Sequence, residues 1–305
     1  MIFINKSSRA NTGEIPESPI PLHLDYKTRV ASNELMPSEF GGIFFMYSND
    51  QILTDWDRDG YINIPIFSEQ EVSELKSEAM KLFIERDSNW KEHGLEGSKP
   101  YLNPHTESKL FNKIMKDKRI IEVSEMLISN DTNTSDGKIE ALQTWLYFKP
   151  PGELGRDVHQ NIFYTHCDWG GIINISISID SADEENGCLY YYVGSHKEKI
   201  CYPIPDDLKD EERMKTNPSG WENERGKPIF VPGTYKDGEW IDKYEKISMP
   251  TKSGNVTFVH SHVLHGSYDN VSTDKWRCAF LIGYILTNSY FNSGEIGRER
   301  INVYR

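Results

Sequence analysis

The chain lacks the features of a membrane-embedded or secreted protein. None of its apolar runs approaches the ~18 residues that a membrane helix needs. The opening residues, MIFINKSSRANTG, have no apolar core of a signal peptide. The four cysteines show no C-x-x-C spacing, so we expect neither a disulfide framework nor a zinc site; they are Cys167, Cys188, Cys201 and Cys278. These absences predict a cytoplasmic protein with buried thiols.

Basic residues are outnumbered by acidic ones. Lys and Arg together number 34, whereas Asp and Glu number 47, which gives a net charge of −13. Nucleic acids and anionic membranes both require a basic face, so neither is expected as a partner. Aromatic residues make up 12% of the chain, which is enough for a globular core. The partner that we expect is a small-molecule substrate, and the chain is expected to be a monomer or homodimer.

Amino-acid composition and hydrophobic periodicity change along the chain. Residues 1–49 carry several Pro, Gly and Ser and little periodicity, so they are predicted to form an irregular N-terminal arm. Residues 50–305 are predicted to form one domain. Within it, residues 203–246 are polar and rich in Pro and Gly. A long insertion of this kind is more often a functional lid than a plain connector.

Two helices are predicted before residue 138. The segment DRDGYINIPIF indicates a turn at Asp59-Gly60 and then a short strand over residues 61–67. Ser68 and Glu71 have the S-x-x-E spacing of a capping box, so a helix should follow. Its apolar face is expected to contain Val72, Leu75, Ala79, Leu82 and Phe83. A second helix is expected over residues 119–129.

After about residue 138 the pattern becomes one of strands. In ALQTWLYFKP, Gln143, Trp145, Tyr147 and Lys149 should share one face, with Leu142, Leu146 and Phe148 on the other. Further strands are predicted in GGIINISISID, CLYYYVG, SGNVTFVHSHVLHGS and KWRCAFLIGYIL, with a turn at Asn186-Gly187. The fold class is therefore mainly β with flanking helices, a double-sheet jelly roll.

The candidate metal ligands are histidines and aspartates with strand spacing. His-x-Asp occurs at His23/Asp25, in the irregular arm, and at His166/Asp168, in the strand-rich region, which we favour. Residues i and i+2 of a strand point to the same side, so both can hold one ion. A third ligand would come from FVHSHVLHGS, where periodicity does not choose among three histidines: His260, His262 and His265. Two imidazoles and one carboxylate suit Fe(II) that activates oxygen.

Several segments, in order, resemble the phytanoyl-CoA dioxygenase family of Fe(II)/2-oxoglutarate oxygenases, which includes the ectoine hydroxylases. The resemblance covers roughly residues 54–290 and rests on QTWLYFKPPG, FYTHCD, NGCLYYYVGSHK, SGNVTFVHSHVLHGSYDN and WRCAFLIGY. It implies a double-stranded β-helix, a cupin-like jelly roll. It also implies Fe(II) as the metal, 2-oxoglutarate as cosubstrate and O₂ as oxidant.

The resemblance assigns roles to individual residues. His166, Asp168 and His265 match the metal ligands of the family. Ser267 and Arg277 match the residues that bind the distal carboxylate of 2-oxoglutarate. Gln143 and Phe163 match residues of the same cosubstrate pocket. His260 and His262 are then expected to pack, or to form hydrogen bonds behind the site, rather than to bind iron.

Other residues keep two interpretations. Lys149 is either an edge residue with an extended side chain or a cation at the rim of the site. Four aromatic residues are either core or substrate pocket; they are Trp145, Tyr147, Tyr164 and Trp169.

The expected activity is oxidation of an unactivated C–H bond of a small polar metabolite, with release of succinate and CO₂. Hydroxylation is the default outcome, and desaturation or oxidative cyclisation would use the same site. Two alternatives remain. One is a cupin-like metal oxygenase that does not use 2-oxoglutarate. The other is a non-catalytic binding module on a jelly roll, because a fold does not determine a function.

Overall fold

Helices come before most of the strands in the part of the chain that the structure describes. The computed structural model describes residues 48–86, 101–156, 158–165, 167, 169–198, 243–291 and 299–305. Its α-helices are α1 (Asn49–Asp59), α2 (Glu69–Arg86), α3 (Lys109–Met115) and α4 (Lys118–Thr132). Short 3₁₀ turns occur at Pro104–Thr106, Asn161–Tyr164 and Ser195–Glu198. Nearly all of the predicted arm (1–49) and most of the predicted lid (203–246) lie outside the described residues.

Helix α2 forms as its sequence predicts. Ser68 and Glu71 make the reciprocal capping box: the Glu71 carboxylate accepts from the Ser68 N–H at 2.8 Å, and the Glu71 N–H donates to the Ser68 hydroxyl at 3.3 Å. The predicted apolar face is buried along its whole length; it consists of Val72, Leu75, Ala79, Leu82 and Phe83. The second predicted helix is α4, which is longer than residues 119–129 by a few residues at its C-terminal end.

Helices α1 and α3 were missed by the sequence analysis. Helix α1 buries only Ile52 and Trp56, so its apolar periodicity is weak. Its capping residues could have predicted its two ends. The Ser48 side chain accepts from the Gln51 N–H, and Gly60 ends the helix with a left-handed φ of 81°. The turn predicted at Asp59-Gly60 is thus a helix C-cap that leads directly into the first strand.

The described strands form two antiparallel sheets. They are β1 (Tyr61–Pro65), β2 (Tyr101–Leu102), β3 (Ile139–Lys149), β4 (Ile172–Ser178), β5 (Leu189–Tyr192), β6 (Lys246–Met249), β7 (Asn255–His260), β8 (His265–Ser267), β9 (Arg277–Leu286) and β10 (Ile301–Asn302). The larger sheet has the order β1-β7-β4-β9-β3-β10, with β2 also paired to β3; the smaller has the order β6-β5-β8. The predicted jelly roll with flanking helices is confirmed.

The two faces of the larger sheet have different neighbours. On its outer face, the rings of Phe83 (α2) and Phe148 (β3) lie 4.6 Å apart, and those of Phe111 (α3) and Phe280 (β9) also lie 4.6 Å apart. The inner face looks toward the smaller sheet. Helix packing therefore stabilises one side of the sheet and leaves the other side for a cavity.

The predicted alternation along β3 holds except at Leu142. The β3–β9 ladder shifts register between Ala141 and Gln143. Because of this irregularity, Leu142 lies on the wall of the inner cavity and not on the face of Leu146. Its neighbour Gln143 lines the same cavity. The prediction that Leu142 shares a face with Leu146 is therefore wrong, because period two holds only where the ladder is regular.

The segment SGNVTFVHSHVLHGS was predicted as one strand, and it is two. Strand β7 ends at His260 in the larger sheet, and β8 begins at His265 in the smaller one. His260 is therefore the last residue of β7, whereas His262 lies in the turn that follows, so the two do not share a strand face. Val263 and Leu264 are fully buried in the crossing, so hydropathy gave no sign of a break.

Two smaller expectations concern thiols and membrane helices. The side chains of Cys167, Cys188 and Cys278 are buried, as predicted, whereas Cys201 lies outside the described residues. Among the described helices, none has the length and apolar character needed to cross a membrane.

Candidate functional site

A cavity of about 140 Å³ lies between the two sheets. The larger sheet contributes residues of β3, β4, β7 and β9 to its wall, and the smaller sheet contributes residues of β5 and β8. Six site candidates from the sequence line it together: Gln143, Trp145, Tyr147, His265, Ser267 and Arg277. The fold therefore brings into one cavity residues that are up to 134 positions apart in the chain (277 − 143 = 134).

Two predicted metal ligands, His166 and Asp168, lie outside the described residues. Phe163 and Tyr164 belong to the 3₁₀ turn Asn161–Tyr164, and only their backbone is described. The metal ligand set as a whole therefore stays a prediction, and the described geometry concerns its third member, His265.

His265 is presented to the cavity in a form suited to metal binding. Its Nδ1 lies 2.9 Å from the Val263 carbonyl oxygen. Because a carbonyl only accepts, Nδ1 carries the proton, and the Nε2 lone pair is left for a ligand. Burial lowers the pKa of His265 to about 4, so the imidazole is neutral at physiological pH, as a metal ligand must be.

The position of the His265 ring is fixed from two sides. The backbones of His159 and His265 exchange hydrogen bonds of 2.9 and 3.1 Å, and the two rings lie 4.4 Å apart. On the other side, the ring of Tyr191 stacks on His265 with centroids 5.7 Å apart. His159 was not expected at the site, and its lone position in the sequence gave no signal for it.

Arg277 is the most unusual residue of the cavity wall. The residue is only 7% exposed, and its Nη1 donates to the Gly187 carbonyl at 2.6 Å. Desolvation lowers the pKa of its guanidinium, and within the described part of the chain no carboxylate pairs with it. A buried cation without a counter-ion is costly unless an anion binds beside it.

Lys149 adds a second cation next to Arg277. It is fully buried, whereas both sequence interpretations placed it at an edge or rim. Its ammonium donates to the Ser267 hydroxyl at 3.1 Å and to the Tyr268 carbonyl. Burial and the nearby charge of Arg277 lower the pKa of Lys149 to about 7. The alternation on β3 placed Lys149 correctly on the Gln143 face, but burial of a lysine has no sequence signal.

Ser267 connects this cationic end of the cavity to the loop before the 3₁₀ turn. Its hydroxyl accepts from the Arg156 N–H at 2.9 Å, and its own N–H donates to the Arg156 carbonyl at 2.9 Å. Arg156 also lines the cavity. The described lining thus contains two arginines and no Asp or Glu, which favours an anionic ligand.

Polar donors on the cavity wall also lack partners. Trp145 Nε1 and Asn174 Nδ2 are both buried, and neither makes a hydrogen bond with a described residue. Asn174 on β4 pairs with Gly283 on β9, and Gly283 also pairs with Gln143 on β3. The three residues therefore lie in one row across the sheet. The sequence did carry a signal for Asn174, because polar residues alternate with isoleucine along NISIS in an otherwise buried strand.

Trp169 does not line this cavity. Its ring lies 5.1 Å from that of His260 and 6.5 Å from that of His262, and its Nε1 donates to the His196 carbonyl at 3.3 Å. His260 and His262 likewise do not line the cavity wall; both are buried, and their rings contact that of the half-buried Trp169.

The fold and this cavity define a jelly-roll protein with a cationic site between its sheets, and comparison with known proteins identifies the family. The family model described as phytanoyl-CoA dioxygenase (PhyH) matches residues 56–279, well over half of the chain. The chain belongs to this family. The enzymes of this family depend on Fe(II), 2-oxoglutarate and O₂, which are the cofactors expected from the sequence.

Curated relatives are distant. The chain is 28% identical over 134 residues to phytanoyl-CoA dioxygenase domain-containing protein 1 of Danio rerio, a match that covers 43% of this chain and 40% of that protein. It is 26% identical over 272 residues to the homologue in Caenorhabditis briggsae, with 75% and 88% covered. The match to the Danio rerio relative thus spans about two fifths of that relative's length.

Solved structures share the fold at low sequence identity. EctD from S. alaskensis in its apo form has a TM-score of 0.58 at 18% identity, with 86% of this chain and 87% of EctD covered. The non-heme alpha ketoglutarate dependent epimerase SnoN from nogalamycin biosynthesis has a TM-score of 0.57 at 18% identity, with 79% and 84% covered. The related carbocyclase SnoK reaches 0.59 at 17% identity, with 82% and 88% covered.

Proposed function

We propose that this protein is a non-haem Fe(II)/2-oxoglutarate-dependent oxygenase that oxidises a C–H bond of a small polar metabolite and releases succinate and CO₂. The observation that carries the proposal is Arg277. It is a buried guanidinium without a carboxylate partner in the described residues, on the wall of the cavity that His265 also lines. Arginine suits a carboxylate because its planar fork pairs with both oxygens.

The proposed metal ligands are His166, Asp168 and His265. Bound iron would supply the activation of O₂ that no protein side chain can provide. The chain contributes two neutral imidazoles and one carboxylate, with His265 offering Nε2 because Nδ1 is occupied by the Val263 carbonyl. Within the described residues, the fixed tautomer and depressed pKa of His265 fit a metal ion.

The proposed cosubstrate pocket is the cationic end of the cavity. Arg277 and Ser267 would bind the distal carboxylate of 2-oxoglutarate, as the family pattern implies. Lys149 would support the same carboxylate through the Ser267 hydroxyl, to which it donates. Gln143 lies on the same strand face as Lys149, and it and Phe163 are proposed to complete the pocket.

The substrate is proposed to be small, polar and rich in oxygen. Trp145 Nε1 and Asn174 Nδ2 are buried donors that need acceptors, and a substrate oxygen would satisfy them. Arg156 on the wall favours a substrate with an anionic group. Tyr147 lines the same space. A substrate contact of Tyr164 is proposed from the sequence alone, and none is proposed for Trp169, which lies outside this cavity.

The proposal is tested without knowledge of the substrate. Under anaerobic conditions, Fe(II) and then 2-oxoglutarate are added, and the visible absorption spectrum is recorded. A bidentate 2-oxo acid on Fe(II) gives a weak charge-transfer band, which we expect in the wild-type protein and not in His265→Ala. Iron binding without the band would favour a metal oxygenase that ignores 2-oxoglutarate. Absence of iron binding would favour a binding module.

The reaction outcome is read from the product once a substrate has been found by stimulated succinate formation. A mass increase of 16 indicates hydroxylation, and a loss of 2 indicates desaturation or cyclisation.

A further inference from the structure

The turn between β7 and β8 delivers His265 to the cavity, and every part of it is held by hydrogen bonds. The Val263 N–H donates to the His260 carbonyl at 3.1 Å, and the Leu264 N–H donates to the Ser195 hydroxyl at 2.9 Å. The His262 N–H donates to Nδ1 of the His260 ring at 3.0 Å. This last bond differs from the other two because its acceptor is a ring nitrogen, so it forms only when His260 Nδ1 carries a lone pair.

The bond from His262 fixes the tautomer of His260. A peptide N–H only donates, so His260 Nδ1 must carry a lone pair, and in the neutral ring the proton lies on Nε2. His260 is fully buried, and its Nε2 lies 3.4 Å from Asp131 Oδ2. The contact has the distance of an ion pair but lacks the alignment of a hydrogen bond, since Nε2 has no hydrogen-bond partner in the described residues.

Asp131 is itself held in place. Its side chain is only 5% exposed, and Trp56 Nε1 lies 3.0 Å from each carboxylate oxygen. A carboxylate beside Nε2 favours the tautomer with the proton on that nitrogen, because the opposite tautomer would direct a lone pair at a negative charge. Asp131 therefore favours the form of His260 that accepts from the turn.

Aromatic rings prevent His260 from rotating to another arrangement. The ring centroids of His196, Trp169 and Trp56 lie 5.0, 5.1 and 5.5 Å from that of His260. Such packing holds the imidazole in one orientation without contact with water.

We propose that His260 is a positioning residue for the metal site: its Nδ1 holds the turn that presents His265, and Asp131 holds His260 in the tautomer that makes this possible. The inference rests on the proposed function, because it takes His265 as a metal ligand. It assigns a role to the Trp56–Asp131–His260 chain of contacts, none of which touches the cavity.

Two substitutions of His260 separate this role from simple packing. Asn places its Oδ1 where His carries Nδ1, so His260→Asn keeps an acceptor for the His262 N–H. Gln fills more of the space but places its amide one bond further away, so His260→Gln loses that acceptor. If His260 only fills volume, the Gln variant should be the milder; if it positions the turn, the Asn variant should be.

The first readout uses the metal-free protein. Amide hydrogen exchange at His262 should be about as slow in His260→Asn as in the wild type and at least ~10-fold faster in His260→Gln. The second readout is the anaerobic Fe(II) dissociation constant, expected within ~3-fold of wild type for Asn and raised ~10- to 100-fold for Gln, the range typical of lost support behind a metal ligand. Asp131→Asn should shift His260 toward the Nδ1–H tautomer, as reported by imidazole ¹⁵N shifts.

His105→Gln is the matched control. His105 is another buried histidine whose Nδ1 is bonded at 2.7 Å, to the Thr144 hydroxyl, away from the turn, and its replacement should leave the iron constant unchanged. Slow exchange at His262 in His260→Gln, or a weaker iron affinity in the Asn variant than in the Gln variant, overturns the positioning role. A wild-type protein that binds no iron refutes the proposed function instead, whatever the exchange rates are.

Discussion

Replacement of Arg277 by Gln should separate the stability of the empty protein from its affinity for 2-oxoglutarate. Arg277 is buried, and desolvation of its charge is not balanced by a carboxylate among the described residues. Gln is neutral and removes this cost, but its amide ends two bonds short of Nη1 and gives up the 2.6 Å hydrogen bond to the Gly187 carbonyl, so the two effects oppose each other. We therefore expect the metal-free variant to melt within a few degrees of the wild type, or above it.

The loss of cosubstrate affinity should be large. Hydrogen bonds to charged groups contribute about 1.5–3 kcal/mol each, so loss of a two-point contact with a carboxylate should cost at least about 3 kcal/mol. That is roughly a 100-fold increase in the dissociation constant. At a 2-oxoglutarate concentration 100 times the wild-type constant, ligand binding stabilises the wild type by about 2.7 kcal/mol and would stabilise the variant by only about 0.4 kcal/mol.

The assay is thermal unfolding of both proteins with Fe(II) under anaerobic conditions, with and without 2-oxoglutarate, alongside titration of the visible band. Arg300→Gln is the matched control, because Arg300 is a part-exposed arginine whose Nη1 pairs with Glu140 at 2.7 Å. It should keep the full ligand-induced stabilisation. An unchanged 2-oxoglutarate constant in Arg277→Gln, or strong destabilisation of its metal-free form, would refute the reasoning.

Three further predictions follow from individual residues. Lys149 has a pKa of about 7, so 2-oxoglutarate affinity should fall as pH rises from 6 to 9, and a Lys149→Met variant should show a flatter profile in the same spectroscopic titration. Burial lowers the pKa values of His196 and His262 to about 4, so the unfolded chain binds more protons between pH 6.5 and 4. The free energy of unfolding should therefore decrease as the pH is lowered, by up to about 1.4 kcal/mol per histidine per pH unit. Urea unfolding at pH 6.5 and 5.0 measures this, and equal midpoints would contradict it. Gly60→Ala should destabilise by about 1–3 kcal/mol, because φ is 81° and the new Cβ would lie 2.5 Å from His196 Nδ1; urea unfolding would show it.

Local rules predicted those parts of the fold where one element faces one environment. The capping box and apolar stripe placed α2, whose inner face packs on the sheet. Period two placed Trp145 and Tyr147 on the cavity side of β3. Such signals fail where one apolar segment passes from one sheet to the other, as between β7 and β8. The chain is buried on both sides of that crossing, and neither Gly nor Pro marks it.

Residues of the site were predictable only where a pattern names them. His265, Ser267 and Arg277 belong to a spaced motif, and the structure places all three on the wall of one cavity. Arg156 and Asn174 do not, and they reach that wall through tertiary contacts. Arg156 is held by two hydrogen bonds with Ser267, one to its hydroxyl and one from its N–H, and Asn174 by its register with Gly283. Spacing within a strand is a local property, whereas the approach of separate segments depends on the whole fold.

The short strand β8 links the proposed metal site to the proposed cosubstrate pocket. His265 and Ser267 are two residues apart, so both side chains point to the same side of the strand, and both line the cavity. Between them, a Cβ on Gly266 would meet the hydroxyl of Tyr190 and lie 2.6 Å from the Arg156 carbonyl. Because only glycine fits there, a slip of one residue along the strand would put the His265 or Ser267 side chain into that contact. The close approach at Gly266 therefore fixes the strand register, and with it the spacing between a proposed iron ligand and a proposed carboxylate-binding hydroxyl.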